Sequence, residues 1–269
     1  MALPLMATSD KTLMIIGDKS LWTSHNGLEW SMADKTDWGI RHGAAYAQFN
    51  NQFIMTGGMR SWGNFFNDTW VSRDGVNWVQ HPSPWPARRG HAMVEFIGKI
   101  WLIGGMVSSG KDNELPSQHL TDVWSTEDGI HWKQEMQDGP WHDGGDFFVQ
   151  VMNDRLFMIR TTPGSVWSSY DGKHWRLLVT GTSWGSRRGA GAMTFDNKLW
   201  VFGGMDLHDV WNSGNGINWH LQTSAAPWSP RSANYCVVFK NKLWIFGGKT
   251  GRSDSWSGDI WAMGSCNEN

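Results

Sequence analysis

The chain has 269 residues, a mass of 30.4 kDa, a formal charge of −2 and a pI near 6.5. That balance leaves no basic footprint for nucleic acid and no polybasic signal for a membrane surface, and no apolar run approaches the roughly 20 residues of a membrane helix. Two cysteines, Cys236 and Cys266, make no disulfide framework, whereas 21 Trp and 32 Gly against 9 Pro suggest short strands, tight turns and a repeated aromatic packing position.

The opening MALPLMATSDK has no cationic segment and too short an apolar stretch for a secretory signal, so a cytoplasmic location is expected. Within it, Leu3–Thr8 falls in register with Ala44–Gln48 and is predicted to be an inner strand. A unit then recurs along the chain. Its second strand reads LMIIGD (13–18), FIMTGG (53–58), IWLIGG (100–105), LFMIRT (156–161), LWVFGG (199–204) and LWIFGG (243–248). Its third strand carries Trp22, Trp70, Trp124, Trp167, Trp211 and Trp261, about 43 to 54 residues apart, a spacing typical of propeller blades. Asn26-Gly27, Asp74-Gly75, Asp128-Gly129, Asp171-Gly172 and Asn215-Gly216 follow, and predict two-residue hairpins with positive φ at both positions. The last unit stops after Ile260–Met263, which predicts a three-stranded sheet; the rival is that residues 1–8 cross over to complete it.

The Gly-Gly after a hydrophobic strand, with Trp at fixed distances beyond, resembles the kelch repeat over nearly the whole chain. The twin glycines fail at Gly17-Asp18 and at Arg160-Thr161. The resemblance implies an all-β, six-bladed kelch-type β-propeller with four-stranded antiparallel blades and a three-stranded last one. It would be a single domain over 1–269, with blades near 1–35, 36–84, 85–140, 141–183, 184–227 and 228–265.

In a four-stranded meander, the loop leading into each blade and the loop after Gly-Gly share one face. That face carries the length variation, including Val107–Leu120, and function sits preferentially on such loops. The lead-in loops repeat Trp-x-x-Arg at Trp38/Arg41, Trp85/Arg88, Trp184/Arg187 and Trp228/Arg231. Each of these blades also has an Asp two residues before its third-strand Trp: Asp68, Asp122, Asp209 and Asp259. Where the Arg is missing, Ser20 and Ser165 replace the Asp. Joint presence and joint absence favour an Arg–Asp fork inside each blade over a ring of anion-binding arginines. The lead-in Trp residues, with Trp141, are expected as half-buried plugs between neighbouring blades.

Repeated residues build a frame, and departures from the repeat are free to build a site. In kelch proteins that bind at this face, the resemblance implies, the residue two after the repeated Arg and the one after Gly-Gly look into an axial channel. Here these are Gly43, Gly90, Asp146, Gly189 and Ala233, then Met59, Met106, Thr162, Met205 and Lys249. Asp146 is the one carboxylate among small residues, a candidate general acid or base, with Arg160 as its partner or as an anion holder; a plain Asp146–Arg160 pair is the alternative. His42, Arg89, His91 and Arg188, beside the repeated Arg, and His142 in the fourth lead-in are further binding candidates. Trp62 and Trp256 lie outside every repeated position and are candidates for stacking on a ligand.

No metal motif of useful spacing appears; Asp112, Glu114 and His119 are loosely spaced in one loop. The Glu-x-x-x-Asp-x-x-x-His pattern of iron-using kelch proteins is absent. Tyr235 and Cys236 are adjacent in one strand and point to opposite faces, against the crosslink of kelch copper oxidases. No cofactor is implied, and a monomer is expected. Two functions stay open: a binding module for a small molecule, sugar or peptide, and a metal-free enzyme such as an isomerase, mutarotase, lyase or cyclase using Asp146. Kelch sugar epimerases offer analogy only.

Overall fold

The computed structural model describes residues 5–9, 12–16, 20–34, 38–39, 41–61, 63–107, 118–141, 145–205, 207–251 and 255–264. Its regular structure is β throughout, in antiparallel sheets whose strands neighbour one another in chain order. The first sheet is Leu5–Ser9, Thr12–Ile16, Leu21–Ser24 and Ser31–Asp34. The second is Ala45–Phe49, Gln52–Thr56, Asp68–Ser72 and Trp78–Pro82, and the third Ala92–Phe96, Lys99–Val107, Gln118–Thr126 and Lys133–Met136. The fourth is Phe147–Val151, Leu156–Thr161, Gly164–Ser169 and Arg176–Thr180; the fifth is Gly191–Phe195, Lys198–Phe202, Val210–Ser213 and His220–Thr223. Tyr235–Phe239, Lys242–Phe246 and Ile260–Gly264 form a three-stranded sixth sheet. Leu5–Ser9 pairs with Thr12–Ile16, so it is the inner strand of the first sheet. No helix long and apolar enough to cross a membrane occurs among the described residues.

The chain divides into two compact units, Met1–Gly144 with the first three sheets and Gly145–Asn269 with the last three. Each sheet lies within the bounds that the sequence repeat assigns to one blade. In the first unit, Met14, Leu21, Phe53 and Met55 share a core joining the first two sheets. In the second unit, Phe157 and Ile159 pack with Leu199 and Val201, and Trp200 and Phe202 with Leu243 and Ile245. Cys236 belongs to the same packing: its thiol donates to the Ala192 carbonyl at 3.4 Å, and burial pushes it up to about 12.

The turn chemistry differs from expectation. Positive φ at two consecutive residues occurs at Asn50-Asn51, Ile97-Gly98, Asn153-Asp154, Asp196-Asn197 and Lys240-Asn241, between inner and second strands. These are the two-residue hairpins. In the Asp-Gly and Asn-Gly loops only the glycine has positive φ. Asp74 shows why: its Oδ1 accepts the Val76 and Asn77 N–H groups at 2.9 and 2.8 Å, while the Ser72 hydroxyl accepts the Gly75 N–H at 2.9 Å. A side chain that mimics a backbone turn closes a five-residue loop without the tight hairpin. The same Ser/Thr and Asp/Asn contacts recur at Asn26, Asp128, Asp171 and Asn215.

The lead-in tryptophans are more deeply buried than expected. Trp38 meets Trp70 and Trp78 edge-on, at centroid distances of 5.6 and 4.7 Å, and Trp85 meets Trp124 and Trp132 at 5.7 and 4.7 Å. Each covers rings of its own sheet, and Trp38 also shares a core with Met14 and Leu21 of the first sheet, as Trp184 does with Phe157 and Ile159 of the fourth. Trp38, Trp85, Trp141 and Trp184 are buried rather than half-buried. A large ring that must cross the sheet end gains most by covering the third- and fourth-strand rings it passes.

Candidate functional site

Four Arg–Asp forks brace one end of the sheets. Arg41 reaches Asp68 at 2.5 and 2.6 Å, Arg88 reaches Asp122 at 2.6 and 2.7 Å, Arg187 reaches Asp209 at 2.6 and 3.1 Å, and Arg231 reaches Asp259 at 2.6 and 2.7 Å. Each guanidinium also donates to the carbonyl of the first glycine of its pair, at Gly57, Gly104, Gly203 and Gly247. The second carboxylate oxygen of each Asp accepts the indole N–H two residues on, from Trp70, Trp124, Trp211 and Trp261. In the first sheet, Ser20 takes the Asp place and accepts the Trp22 N–H at 3.0 Å. Arg231 holds Asp259 well below the usual carboxylate range, and at Asp209 burial is outweighed by Arg187 and Trp211, with the same net direction. These arginines are buried and bonded within the frame.

On this frame the residue after each repeated Arg is tied to the residue after each Gly-Gly. His42 and Met59 exchange both backbone hydrogen bonds, at 2.8 and 3.0 Å, as do Arg89 and Met106, at 3.0 and 2.9 Å. In the second unit, the Met205 N–H donates to the Arg188 carbonyl at 3.0 Å, and Ser232 pairs with Lys249. Thus two candidate sets that are far apart in sequence meet pairwise. The fourth sheet's counterpart is Gly145 beside Thr162, where a Cβ on Gly145 would clash with the Thr162 carbonyl oxygen.

A further thread links successive lead-in loops. Gly90 N–H donates to the Gly43 carbonyl, and Ala233 N–H to the Gly189 carbonyl, both at 2.7 Å. At the fourth sheet the donor is Gly189 N–H and the acceptor is the Asp146 carboxylate, at 3.0 Å. The Asp146 carbonyl instead accepts from the Thr161 N–H and hydroxyl. Asp146 therefore supplies from its side chain what glycine supplies from its backbone.

Arg160 is buried, 4% exposed, in strand register with Phe147 and Ser165. No ion pair joins it to Asp146 among the described residues, so the plain Asp146–Arg160 pair is not formed. His91 lies away from the exposed loops: it is buried between the second and third sheets, bonded to the Thr56 hydroxyl at 2.7 Å, close to Gly57. Burial and then Arg88 lower its pKa to about 3. Met59 is buried as well, at 8% exposure. Trp62 and His142 lie outside the described residues, as do Asp112 and Glu114.

The exposed candidates gather on the second unit. Arg188 is exposed, Met205 is 61% exposed, and Trp256 is 37% exposed. A small ribbon sets Arg231–Ser232, Lys249–Thr250 and Ser255–Trp256 side by side, pairing Ser232 with Lys249 and Lys249 with Trp256. Directly paired residues share a sheet face, so a hydroxyl, an ammonium and an indole stand in one row. Ser232 was missed from sequence; its signal is the place directly after a repeated Arg, shared with His42, Arg89 and Arg188. Among the described residues no group of three or more His, Cys, Asp or Glu is placed to hold a metal ion.

No family model and no curated protein matches this chain. Among solved structures, it is similar to one described as "Structure of YjhT", at 16% identity and a TM-score of 0.80, over 99% of this chain and 95% of that one. At that identity the likeness carries the fold alone, an all-β, multi-sheet, propeller-like architecture that the two chains share.

Proposed function

We propose that the chain is a six-bladed kelch-type propeller, one blade to each sheet, that binds a small molecule, sugar or peptide where the lead-in and post-Gly-Gly loops emerge. The observation that carries this is Met205. It sits in left-handed backbone, φ 48°, with its side chain 61% exposed. A left-handed non-glycine residue costs roughly 1–2 kcal/mol, and an exposed thioether gains little for folding in return. Strain of this kind collects at ligand-contacting positions. Around it, Arg188 offers a cation, and the Ser232–Lys249–Trp256 row offers a second cation beside a ring. Such a set suits a ligand with one flat or apolar face and one anionic or strongly accepting group. It needs no metal or cofactor.

The enzymatic alternative uses Asp146 as acid–base, and its weakness is that this carboxylate already serves the Gly189 N–H. Asp146→Asn separates the two, because an amide oxygen keeps that bond and loses the charge. A binding module keeps its ligand affinity in Asp146→Asn; an acid–base enzyme keeps binding but loses about 10²–10⁴ in turnover. Turnover of any bound sugar or acid by the wild type, with a loss of that size in the variant, would replace the first proposal with the second.

A further inference from the structure

One position of the second strand reads Met14, Ile54, Trp101, Phe157, Trp200 and Trp244 in the six sheets. It is a packing position: Trp200 joins the core between the fifth and sixth sheets, Phe157 that between the fourth and fifth, and Met14 that between the first and second. Trp101, Trp200 and Trp244 each tie their indole N–H to an inner-strand carbonyl at 2.8 to 3.0 Å. Met14 is slimmer than any of these rings, and a cleft of about 350 Å³ opens beside it. Met14, Leu21 and Phe53 form its apolar lining, with Gln48, Asn51 and Arg73 among its polar groups. It lies at the hairpin-loop end of the sheets, opposite the loops discussed above. Ligand pockets run from roughly 300 to 1,000 Å³, so one small ring system fits.

We infer that this cleft is a second binding site, for a neutral, planar heteroaromatic molecule of about indole size. Planarity and size follow from the third, fifth and sixth sheets, which fill the corresponding position with the indoles of Trp101, Trp200 and Trp244. Met14 is 4% exposed with its sulfur against Gly75, and its unbranched side chain can shift to admit a ring. The amides of Gln48 and Asn51 carry both donors and acceptors for ring nitrogens. Neutrality follows from the rim, where Arg73 stands beside Asp74. The Asp74 carboxylate is occupied by Ser72, Val76 and Asn77, and the hydrogen bonds from Asn77 first of all hold it well below the usual carboxylate range.

Indole itself is the probe, titrated into the full chain by calorimetry and by ligand-observed NMR. Saturable binding is expected in the wild type, weakened at least tenfold in Met14→Trp, which fills the cleft as Trp200 fills its own place. Gln48→Ala should weaken it about 3- to 10-fold, as loss of one hydrogen bond does, and Arg188→Ala should leave it unchanged. If Met14→Trp fails to fold, Met14→Phe, the fourth sheet's ring at this position, stands in with the same expected direction. No saturable binding by the wild type, or equal affinity in the filled variants, overturns the site whatever binds at Arg188 and Met205.

Discussion

The carboxylate of Asp146 accepts the backbone N–H of Gly189 at 3.0 Å, in the thread where Gly43 and Gly189 offer a backbone carbonyl. The residue that departs most in charge from its repeat is thus first a replacement part. A carboxylate reaching from one lead-in loop to the next keeps the thread intact where the Asp146 carbonyl is taken by Thr161.

Asp146→Ala removes that acceptor and should cost about 1–3 kcal/mol, the penalty of leaving a partly buried donor unmet. Asp146→Asn should cost under about 1 kcal/mol. Urea unfolding of the two variants checks the order. Equal losses would mean that the charge, not the acceptor, holds Gly189.

The forks give a larger effect. Arg88 is fully buried and Asp122 nearly so. Arg88→Ala leaves the Asp122 carboxylate buried with the Trp124 indole as its remaining donor among the described residues, and should cost about 3–5 kcal/mol. Denaturant unfolding measures it. A loss near that of a surface pair, under about 1 kcal/mol, would show that the fork is not needed.

His91 adds a pH dependence. Its folded-state pKa is lowered to about 3, from 6.5. Below pH 6.5 the unfolded chain therefore takes up a proton that the folded chain refuses, and stability falls as pH drops from 6.5 towards 3. The slope is at most about 1.4 kcal/mol per pH unit for one group. His91→Asn, which places the residue type of Asn234 at the corresponding position, should flatten this part of the curve. An unchanged slope in melting temperature between pH 6.5 and 4 would contradict it.

The strands and the forks were legible because both obey a repeat. The pairing of Arg41, Arg88, Arg187 and Arg231 with their Asp partners showed in joint presence and absence. The strands of the last sheet showed in the same repeat, at Tyr235–Phe239, Lys242–Phe246 and Ile260–Gly264. The turns were misassigned, because Asp-Gly is the strongest hairpin dipeptide when the loop has two residues, whereas here Ser72 and Asp74 close a longer one. His91 looked like its neighbours Arg89 and Gly90, but one residue further along a lead-in loop turns the side chain into the sheet interface. The Met14 cleft left its mark in the second-strand alignment, where a sulfide stands in a column with rings at four of six places, a signal that periodicity alone does not weigh.

Two glycines separate backbone freedom from close approach. Gly90 has φ 65° with open space around a would-be Cβ, while Gly145 has φ 122° and faces the Thr162 carbonyl. Gly90→Ala should cost roughly 1–2 kcal/mol, the left-handed penalty alone. Gly145→Ala should lower the melting temperature clearly more. A reversed order would mean that the fourth lead-in relaxes freely.

The most direct measurement is calorimetry of sugars, sugar acids and short peptides against the wild type and an Arg188→Ala/Met205→Ala/Lys249→Ala variant that melts like it. At least one compound should bind the wild type saturably and lose tenfold or more in affinity in the variant. If every compound that binds does so equally well in both, or if none binds, these loops are not the site at which this protein holds its ligand.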